Sequence, residues 1–320
     1  MAFFVIMFSM KTKYPIKKEF FPFNKFTAPK SKFMIKLAQF YMKPPRFLFK
    51  DKELNVKTIK INGYKDEEIT LFIINKKDIK PISPCLIFIH GGGFVFEGSK
   101  SHYKNAIRFA KECDCKVIYI KYNLAPKYPF PYQQEECYIA YQYIFEHADE
   151  LGIDINNIGI TGDSGGATLA VTSMLLAHHR SYKYYPKFQL LVYPWLDNRG
   201  DSESNKRFVD TPMWNSKLSK NAGRFTNPNK IEYPPYYVSP VEYIDKSFLP
   251  PAYIEVAEFD PLHDDGVLFK DLLIKENIEV IFYEVKGAMH GFDTKYQAPT
   301  SKEMMNKRII FAKEMFNLKD

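Results

Sequence analysis

From residue 56 onward, short runs of β-branched and aromatic residues alternate with longer stretches of helical periodicity. This alternation is typical of strand, helix, strand units built around a parallel sheet. Several runs, such as residues 85–89 and 117–120, are apolar without interruption, as expected for strands that are covered on both faces. The sequence therefore predicts an α/β fold with a central, mostly parallel, eight-stranded sheet flanked by helices. The expected strands cover residues 56–62, 69–75, 85–89, 116–121, 157–161, 187–193, 252–257 and 279–285.

Helical patterns lie between the expected strands, at residues 101–113, 132–150, 164–179, 264–276 and 301–316. Two long stretches do not follow this alternation. Residues 1–55 are rich in Phe, Tyr and Lys, and residues 197–248 include a cluster of proline and aromatic residues. Long excursions from a compact domain are usually lids or binding elements, although surface packing alone is the alternative. We expect both stretches to form a helical cap over an α/β domain made of residues 56–196 and 249–320.

Composition indicates a folded protein and argues against several classes of partner. Apolar residues make up 46% of the 320 residues and charged residues 26%, which is ordinary for a globular chain. The net charge of +8 comes from scattered lysines rather than from a basic run that tracks phosphates, so no nucleic-acid partner is expected. Cys85, Cys113, Cys115 and Cys137 have neither a disulfide framework nor zinc-type spacing. We therefore expect reduced thiols and a cytoplasmic location.

The first ten residues are mostly apolar, yet this stretch is shorter than the roughly 18 apolar residues that a membrane span needs. A secretory signal peptide would carry its positive charges before the apolar run, whereas Lys11, Lys13, Lys17 and Lys18 follow it. We therefore expect no transmembrane segment, and we predict an amphipathic piece that packs on the body of the protein.

The sequence Gly-Asp-Ser-Gly-Gly at residues 162–166 follows the expected strand 157–161 and opens a helical pattern. This is the setting of a nucleophile elbow, a sharp strand-to-helix turn that lifts the hydroxyl of its serine clear of the backbone. The flanking glycines let the turn close without a clash of Cβ atoms, and the helix N-terminus favours negative charge beside it. Chance occurrence in a loop is the alternative, with an expectation of about 0.03 copies in such a chain. Ser164 is therefore the candidate nucleophile.

The sequence His-Gly-Gly-Gly at residues 90–93 directly follows another expected strand. Consecutive glycines leave backbone N–H groups unshielded, so that they can donate to a ligand oxygen. A glycine-rich phosphate loop is the main rival, but neither the Gly-x-x-x-x-Gly-Lys nor the Gly-x-Gly-x-x-Gly pattern is present. An oxyanion hole fits better, and we assign Gly92 and Gly93 as its donors, joined by the amide of Gly165.

A serine nucleophile needs a base and a supporting acid, and in this kind of fold both follow the serine along the chain. Asp260 comes directly after one expected strand, and His290 follows the next strand in a loop with glycines on both sides. Both are therefore expected at the same sheet edge as Ser164. Asp264 and Asp265 are alternatives for the acid, but Asp265 would lie inside the next helix. The other interpretations are a helix N-cap at Asp260 and a structural histidine at position 290.

Five short motifs occur in one order along the chain. They are His-Gly-Gly-Gly-Phe at 90–94, Tyr-Asn-Leu-Ala-Pro at 122–126, Gly-Asp-Ser-Gly-Gly at 162–166, Asp-Pro-Leu at 260–262 and His-Gly-Phe at 290–292. Together they resemble the hormone-sensitive-lipase family of esterases, and the resemblance covers about residues 56–316.

The resemblance implies a catalytic triad of Ser164, Asp260 and His290, an oxyanion hole made by the glycines after His90, and a helical cap over the pocket. In this family the cap comes from the N-terminus and from the region after the sixth strand. Two positions depart from the family's pattern, because glycine stands at 165 where the family usually has alanine, and alanine stands at 167 where it often has glycine.

The resemblance implies a serine hydrolase that cleaves short- to medium-chain carboxylic esters, acetyl esters included, through an acyl-enzyme intermediate. An amidase or deacylase on the same residues, and a hydrolase-like protein that binds a ligand without turnover, are the alternatives. We expect no metal and no cofactor, a small-molecule ester as the partner, and we leave a homodimer undecided. Phe94, Met213 and Trp214 are expected to contact the substrate. Other apolar residues are expected to roof the pocket rather than to anchor the protein to lipid, namely Phe20, Phe21, Phe23 and Phe26.

Overall fold

The computed structural model describes residues 14–29, 31–42 and 44–318, and within them eight strands form one sheet. The strands are β1 (Leu54–Asn62), β2 (Glu68–Lys76), β3 (Ser83–Ile89), β4 (Lys116–Lys121), β5 (Ile153–Asp163), β6 (Phe188–Val192), β7 (Ala252–Phe259) and β8 (Val280–Met289). Their spatial order is β1-β2-β4-β3-β5-β6-β7-β8. Strand β2 runs antiparallel to both of its neighbours, and every other neighbouring pair is parallel. The predicted α/β fold with a mostly parallel, eight-stranded sheet is confirmed.

Helices flank the sheet and supply the longer connections. Within the described residues the α-helices are α1 (Lys32–Tyr41), α2 (Lys100–Glu112), α3 (Tyr132–Glu146), α4 (Ala148–Leu151), α5 (Gly165–His179), α6 (Glu203–Arg207), α7 (Ser216–Thr226), α8 (His263–Lys275) and α9 (Pro299–Met315). The predicted helix 132–150 is divided into α3 and α4, because His147 leaves the helical conformation with φ −109° and ψ 23°. Helix α1 lies in a stretch for which the sequence analysis predicted a cap without locating a helix.

The centre of the sheet is buried on both faces, as its uninterrupted apolar strands predicted. Successive side chains of a strand point to opposite faces. On one face, Ile87 and Ile89 of β3 belong to the apolar cluster that includes α3, α5 and α8. On the other face, Leu86 and Phe88 belong to the cluster that includes α2 and α9. The central strands are therefore fixed from both sides, and their carboxyl ends form a rigid edge for a site.

The N-terminal segment before β1 is tied to the sheet. The N–H of Lys17 donates to the carbonyl of Gly287 at 2.9 Å. Phe20 is fully buried against Phe292, with ring centroids 5.8 Å apart. Phe20 therefore belongs to the core beside the chain that follows β8, rather than to a roof over the site. The apolar start of the chain, residues 1–10, lies outside the described residues.

The two stretches predicted to form a cap contact each other. The N–H of Met213 donates to the carbonyl of Phe26 at 2.6 Å, and the N–H of Ala28 donates to the carbonyl of Met213 at 3.2 Å. These bonds form a short parallel bridge between Thr27 and Met213. Helix α1 lies in the first stretch, and helices α6 and α7 lie in the second.

All four cysteines are buried and unpaired. Burial raises the pKa of the Cys85 and Cys113 thiols to about 12, so both stay protonated at neutral pH. Across the described part of the chain, no helix combines the length and the apolar character needed to cross a membrane.

Candidate active site

Ser164 lies on the turn between β5 and α5, in a backbone conformation that residues other than glycine rarely adopt. Its φ is 53° and its ψ is −123°, and its N–H donates to the carbonyl of Val192 on β6 at 2.9 Å. A Cβ atom at Gly162 would clash with the carbonyl of Gly166, and one at Gly166 would clash with the carbonyl of Ile89. The turn can therefore close only with glycines at these two positions. A strained serine between such glycines is the geometry of a nucleophile elbow.

Ser164, His290 and Asp260 form one hydrogen-bonded chain. Nδ1 of His290 lies 2.7 Å from Oδ2 of Asp260, and Nε2 lies 2.9 Å from Oγ of Ser164. Because Nδ1 faces a carboxylate, the proton of the neutral ring belongs on Nδ1, and Nε2 accepts from the serine hydroxyl. The other carboxylate oxygen of Asp260 accepts from the N–H of Leu262 at 2.9 Å. The exposed fractions of the serine, histidine and aspartate are 4%, 6% and 0%, so the chain is shielded from bulk water.

Three parallel strands deliver these side chains to one edge of the sheet. Ser164 follows β5, Asp260 follows β7, and His290 follows β8. Since the carboxyl ends of parallel strands meet at one edge, residues far apart along the chain converge there.

The two rival acids bind backbone groups elsewhere. Oδ2 of Asp264 accepts from the N–H of Ser204 at 2.8 Å. Oδ2 of Asp265 accepts from the N–H groups of Leu196 and Asp197 at 3.1 and 3.0 Å. Burial raises the pKa of Asp265 well above its usual value. Of the three aspartates considered, Asp260 is the one that His290 contacts.

The glycine loop after β3 lies against the elbow. A Cβ atom at Gly165 would lie 3.5 Å from Cα of Gly93, which brings the two backbone segments into contact. Gly92 and Gly93 have φ values of 120° and 58°. Within the described residues, their N–H groups donate to no protein acceptor. The N–H of Gly165 belongs to the first turn of α5, where amides have no partner within the helix. All three amides are therefore available to a ligand oxygen.

Asp163, the residue before the candidate nucleophile, links the elbow to the glycine loop. Its Oδ1 accepts from the N–H of Gly91 at 3.2 Å, and its Oδ2 accepts from Nε2 of His102 at 2.9 Å. Nδ1 of His102 accepts from the N–H of Ser99 at 2.8 Å. Burial alone would lower the pKa of His102, but the Asp163 carboxylate raises it above its usual value. The sequence analysis gave neither residue a role, and the position of Asp163 beside Ser164 was the one signal for it.

A buried network of charged groups supports the far side of His290. The ring of Tyr193 packs on the imidazole at a centroid distance of 4.8 Å, and its hydroxyl donates to Oδ1 of Asp293 at 2.6 Å. Arg308 donates to Oδ2 of Asp293 at 2.8 Å and to Oε1 of Glu255 at 2.5 Å. Burial by itself would raise the pKa of Asp293, but the Arg308 guanidinium holds it below its usual value. The sequence offered no signal for this network, because its members are scattered over four elements.

Aromatic side chains cover the candidate site. Phe94 stacks on Trp195 with centroids 5.5 Å apart, and Trp214 lies 6.1 Å from both Trp195 and His290. A Cβ atom at Gly93 would lie 2.5 Å from the Trp214 ring, so this ring rests on the glycine loop. Phe94 and Trp214, two of the three residues predicted to contact substrate, therefore flank the candidate oxyanion hole.

Met213, the third of these residues, is placed differently. Its Cε lies 3.7 Å from where a Cβ atom would stand on Gly291, directly after His290. Its backbone pairs with the N-terminal segment and has a φ of 62°. Met213 therefore packs beside the histidine loop, while Trp214 lies over the glycines.

Two cavities lie beside the candidate site. A cavity of about 100 Å³ has Phe94, Phe130 and Tyr233 in its lining, and one of about 540 Å³ has Trp195 in its lining. Ser164 lines neither of them. A third cavity, of about 420 Å³, lies between α2 and α9 and includes none of the three hydrogen-bonded residues. Ser164 itself is 4% exposed, and the aromatic rings of Phe94, Trp195 and Trp214 lie between the elbow and the first two cavities.

In the described ranges, no group of three or more His, Cys, Asp and Glu side chains is arranged to hold a metal ion. The chemical groups around Ser164 are a hydroxyl, an imidazole and a carboxylate in series, together with backbone amides. Such a set can carry out nucleophilic acyl transfer.

Known proteins resemble this chain in sequence and in fold. Esterase LipI of Mycobacterium tuberculosis is 31% identical over 215 residues, which are 66% of this chain and 66% of LipI. Arylacetamide deacetylase of Bos taurus is 27% identical over 296 residues, 73% of this chain and 74% of that protein. The structure of carboxyl esterase 2 from Tuber melanosporum is 29% identical, with a TM-score of 0.76, over 83% of this chain and 88% of that one. The chain spans just under two thirds of the length of the first curated relatives that it matches.

A family model described as alpha/beta hydrolase fold matches residues 86–294. This range contains the glycine loop, the elbow and both residues that complete the hydrogen-bonded chain. The match extends over more than half of the sequence, and the five motifs and the sheet order agree with it. The chain therefore belongs to the α/β-hydrolase-fold family, in the hormone-sensitive-lipase-like group that its motifs resemble.

Proposed function

We propose that the protein is a serine hydrolase of short- to medium-chain carboxylic esters, with Ser164, His290 and Asp260 as its catalytic triad. The observation that carries this proposal is the unbroken contact from the carboxylate through the imidazole to the hydroxyl, at 2.7 and 2.9 Å. Relatives and solved structures that are named esterases support the same class of reaction.

In the first half of the proposed reaction, Oγ of Ser164 attacks the ester carbonyl carbon while its proton passes to Nε2 of His290. Asp260 keeps the imidazole in the tautomer that can accept this proton, and stabilises the imidazolium that forms. The amides of Gly92, Gly93 and Gly165 donate to the oxyanion. The imidazolium then protonates the departing alkoxide, which leaves the acyl group on the serine as an ester.

In the second half, a water molecule takes the place of the alcohol. His290 accepts a proton from this water as the water oxygen attacks the acyl carbonyl, and the same amides donate to the second oxyanion that forms. The carboxylic acid leaves, and the proton on Nε2 returns to the oxygen of Ser164. One ester and one water are consumed, and one acid and one alcohol are released.

The aromatic rings next to Ser164 support the proposal of small acyl groups, because these rings fill space that a larger acyl group would need. We propose that residues up to 55 and residues 197–248 act as one cap over the catalytic domain, because their backbones pair at Met213. The buried, unpaired thiols support a reducing compartment such as the cytoplasm.

The test of the triad is the variant Ser164→Ala, assayed with p-nitrophenyl acetate. The hydroxyl contributes one hydrogen bond and little packing, so the fold should be retained, while turnover should fall by about 10³-fold or more. Circular dichroism and a thermal melt check the fold of the variant.

Ser173→Ala serves as the matched control. Ser173 lies on the same helix and is also buried, but its hydroxyl donates to the carbonyl of Leu169 and has no place in the reaction. This control should keep its turnover within about threefold of the parent. If Ser164→Ala keeps its activity within about tenfold, Ser164 is not the nucleophile.

An amidase or deacylase is the second candidate, favoured by the similarity to a protein named arylacetamide deacetylase. Amide cleavage uses the same residues, but His290 must protonate a poorer leaving group. Comparison of kcat/KM for p-nitrophenyl acetate and p-nitroacetanilide separates the two activities. A higher value for the anilide would reverse the order proposed here.

A further inference from the structure

The outward side of helix α1 is apolar where it meets solvent. Phe33 is 74% exposed, Phe40 is 66% exposed and Met34 is 43% exposed. At 100° per residue, these positions fall within about 120° of one another around the helix axis. We call Phe33, Met34 and Phe40 together the α1 face. Single exposed apolar residues are common on proteins, but a contiguous apolar helix face marks a surface that meets a partner.

The inner side of α1 is fixed, so the α1 face cannot turn inward. Ile35 is buried with Val95 and Ala125 in a small apolar cluster. Nε2 of Gln39 donates to the carbonyl of Val95 at 2.7 Å and to the carbonyl of Ala125 at 2.8 Å. Ser31 caps the helix start by accepting from the N–H of Met34 at 3.2 Å. The helix is thus held from inside, and its apolar outer side is a stable feature of the surface.

The charged residues of the segment that contains α1 have one sign in the sequence. Lys32 and Lys36 are both exposed, and they lie along one edge of the face. Residues 20–50 contain six Lys and one Arg but no Asp or Glu. Phe21 and Phe49, on either side of α1 in the sequence, are also about half exposed. The exposed rings therefore belong to a segment whose charged residues are all basic, from residue 20 to residue 50.

We propose that the α1 face docks on an anionic phospholipid surface. Phenylalanine and methionine side chains enter the boundary between headgroups and acyl chains, while lysines at the edge meet negative headgroups. A second copy of the chain fits this surface less well, because two basic segments would repel each other. The helix lies flat on the lipid and does not span it.

Docking would bring the candidate site close to the lipid. Val95, which accepts from Gln39, follows the oxyanion glycine Gly93 by two positions and bonds through its N–H to the carbonyl of Gly92. Esters that partition into a bilayer would then be presented beside the catalytic residues. This consequence rests on the proposed function, whereas the docking does not.

The test is co-flotation of the full chain with vesicles of phosphatidylcholine containing phosphatidylserine, compared with vesicles of phosphatidylcholine alone. The paired variant Phe33→Ser, Phe40→Ser removes the exposed rings, and should weaken binding to the anionic vesicles at least tenfold. The paired variant Lys32→Glu, Lys36→Glu should also weaken it at least tenfold, because each lysine near an anionic surface contributes about fivefold. Both pairs alter exposed side chains, so their melting temperatures should match that of the parent.

The matched control is the pair Ile244→Ser, Ile310→Ser. Both isoleucines are exposed, at 95% and 55%, but they lie outside the segment 20–50. This pair should bind as the parent does. Every variant keeps residues 1–10, so a lipid contact made by that apolar start would survive in all of them.

Loss of flotation in both α1 pairs and its retention in the control would support the docking. Three results would overturn it: no binding of the parent to anionic vesicles, equal binding by all variants, or a parent dimer that Phe33→Ser, Phe40→Ser dissociates in sedimentation velocity. The last result would assign the α1 face to a second copy. An inactive parent that still floats would reject the proposed function and leave the docking intact.

Discussion

Gly93 and Gly165 lie against each other at the candidate site, but a methyl group would meet different surroundings at the two positions. At Gly93, φ is +58° and a Cβ atom would lie 2.5 Å from the ring of Trp214, which combines backbone strain with a collision. At Gly165 the backbone is helical, and the nearest atom would be Cε1 of Phe94 at 3.2 Å. A small shift of that ring would accommodate alanine, the residue usual in the family. Glycine at 165 therefore lets the Phe94 ring lie slightly closer to the elbow than alanine would allow.

The acid of the proposed triad can be tested with Asp260→Asn. The N–H of Leu262 donates to Oδ1 of Asp260, so the amide oxygen of asparagine should take that position and leave its NH2 facing His290. Nδ1 would then have to accept, which moves the ring proton to Nε2 and blocks proton transfer from Ser164. We expect kcat for p-nitrophenyl acetate to fall by about 10³- to 10⁴-fold.

Asp264→Asn is the control for this substitution, since Asp264 bonds to Ser204 and not to His290. Its kcat should stay within about tenfold of the parent. If the two variants exchange these effects, the acid has been assigned to the wrong aspartate.

A buried carboxyl outside the site should make stability depend on pH. Glu136 accepts from the N–H and the side-chain amide of Asn123 at 2.7 and 2.8 Å, and burial raises its pKa from 4.5 to about 7. The folded chain thus holds this proton more tightly than the unfolded chain, so the stabilisation is complete below pH 4.5 and is lost as the pH rises through 7. We expect the Glu136→Gln variant to lack this contribution to the pH dependence of folding stability.

Urea denaturation of the parent and of Glu136→Gln, below pH 4.5 and above pH 7, measures this contribution. The free energy of unfolding of the variant, minus that of the parent, should increase by on the order of 3 kcal/mol from the lower to the higher pH. A difference that does not change with pH would show that Glu136 titrates normally in the folded protein.

Among the elements, the proposed cap contacts the candidate site through the side chain of Trp214, which is held by two other segments of the chain. The backbone at Met213 pairs with Thr27 of the N-terminal segment, and the next residue is Trp214. Nε1 of Trp214 donates to Oγ of Ser219 on α7 at 2.9 Å. The N-terminal segment therefore acts on the site by fixing where this ring lies, and not through Phe20, which is buried in the core.

Trp214→Ala should shift the substrate preference toward longer acyl chains. The ring occupies the space against Gly93, and its removal opens room beside the candidate oxyanion hole. We expect the ratio of kcat/KM for p-nitrophenyl hexanoate to that for the acetate to rise roughly tenfold, the effect of about two additional buried methylenes. A ratio is used because loss of folded protein lowers both rates equally.

Met213→Ala is the matched control for the acyl-length experiment. Its side chain packs toward Gly291 and leaves the space at Gly93 unchanged, so the ratio should stay within about twofold of the parent. An unchanged ratio in Trp214→Ala would show that acyl chains do not enter the space that this ring fills.

For the molecule as a whole, the sequence predicted those parts of the site that local pattern determines. Apolar runs located the strands, and parallel strands bring their carboxyl ends to one edge, so the amino-acid sequence alone was enough to place Ser164, Asp260 and His290 together. Glycines after a strand likewise indicated the candidate oxyanion amides. The roles of these residues stay predictions until the variants above are assayed.

Contacts between distant segments could not be predicted, because no local pattern encodes them. Arg308 on α9 reaches Asp293 and Glu255 only once three elements have packed, and its sequence neighbours are those of an ordinary surface helix. The position of Phe20 was mistaken for the same reason, since an aromatic-rich segment can fill a core as well as roof a pocket. Helix α1 lies within residues 1–55, where the prediction of a cap rested on composition and excursion from the α/β alternation, so its bounds were not predicted.

The order of the three hydrogen-bonded residues along the chain has a consequence for synthesis. Ser164 is translated 126 residues before His290, and Asp260 precedes that histidine by 30 residues. Arg308, which supports the far side of His290 through Asp293, comes later still. A ribosome that has produced the elbow has therefore made neither the base nor the acid. The growing polypeptide therefore carries the serine without its base until 126 further residues have been added, and the full arrangement can assemble only near the end of translation of the α/β domain.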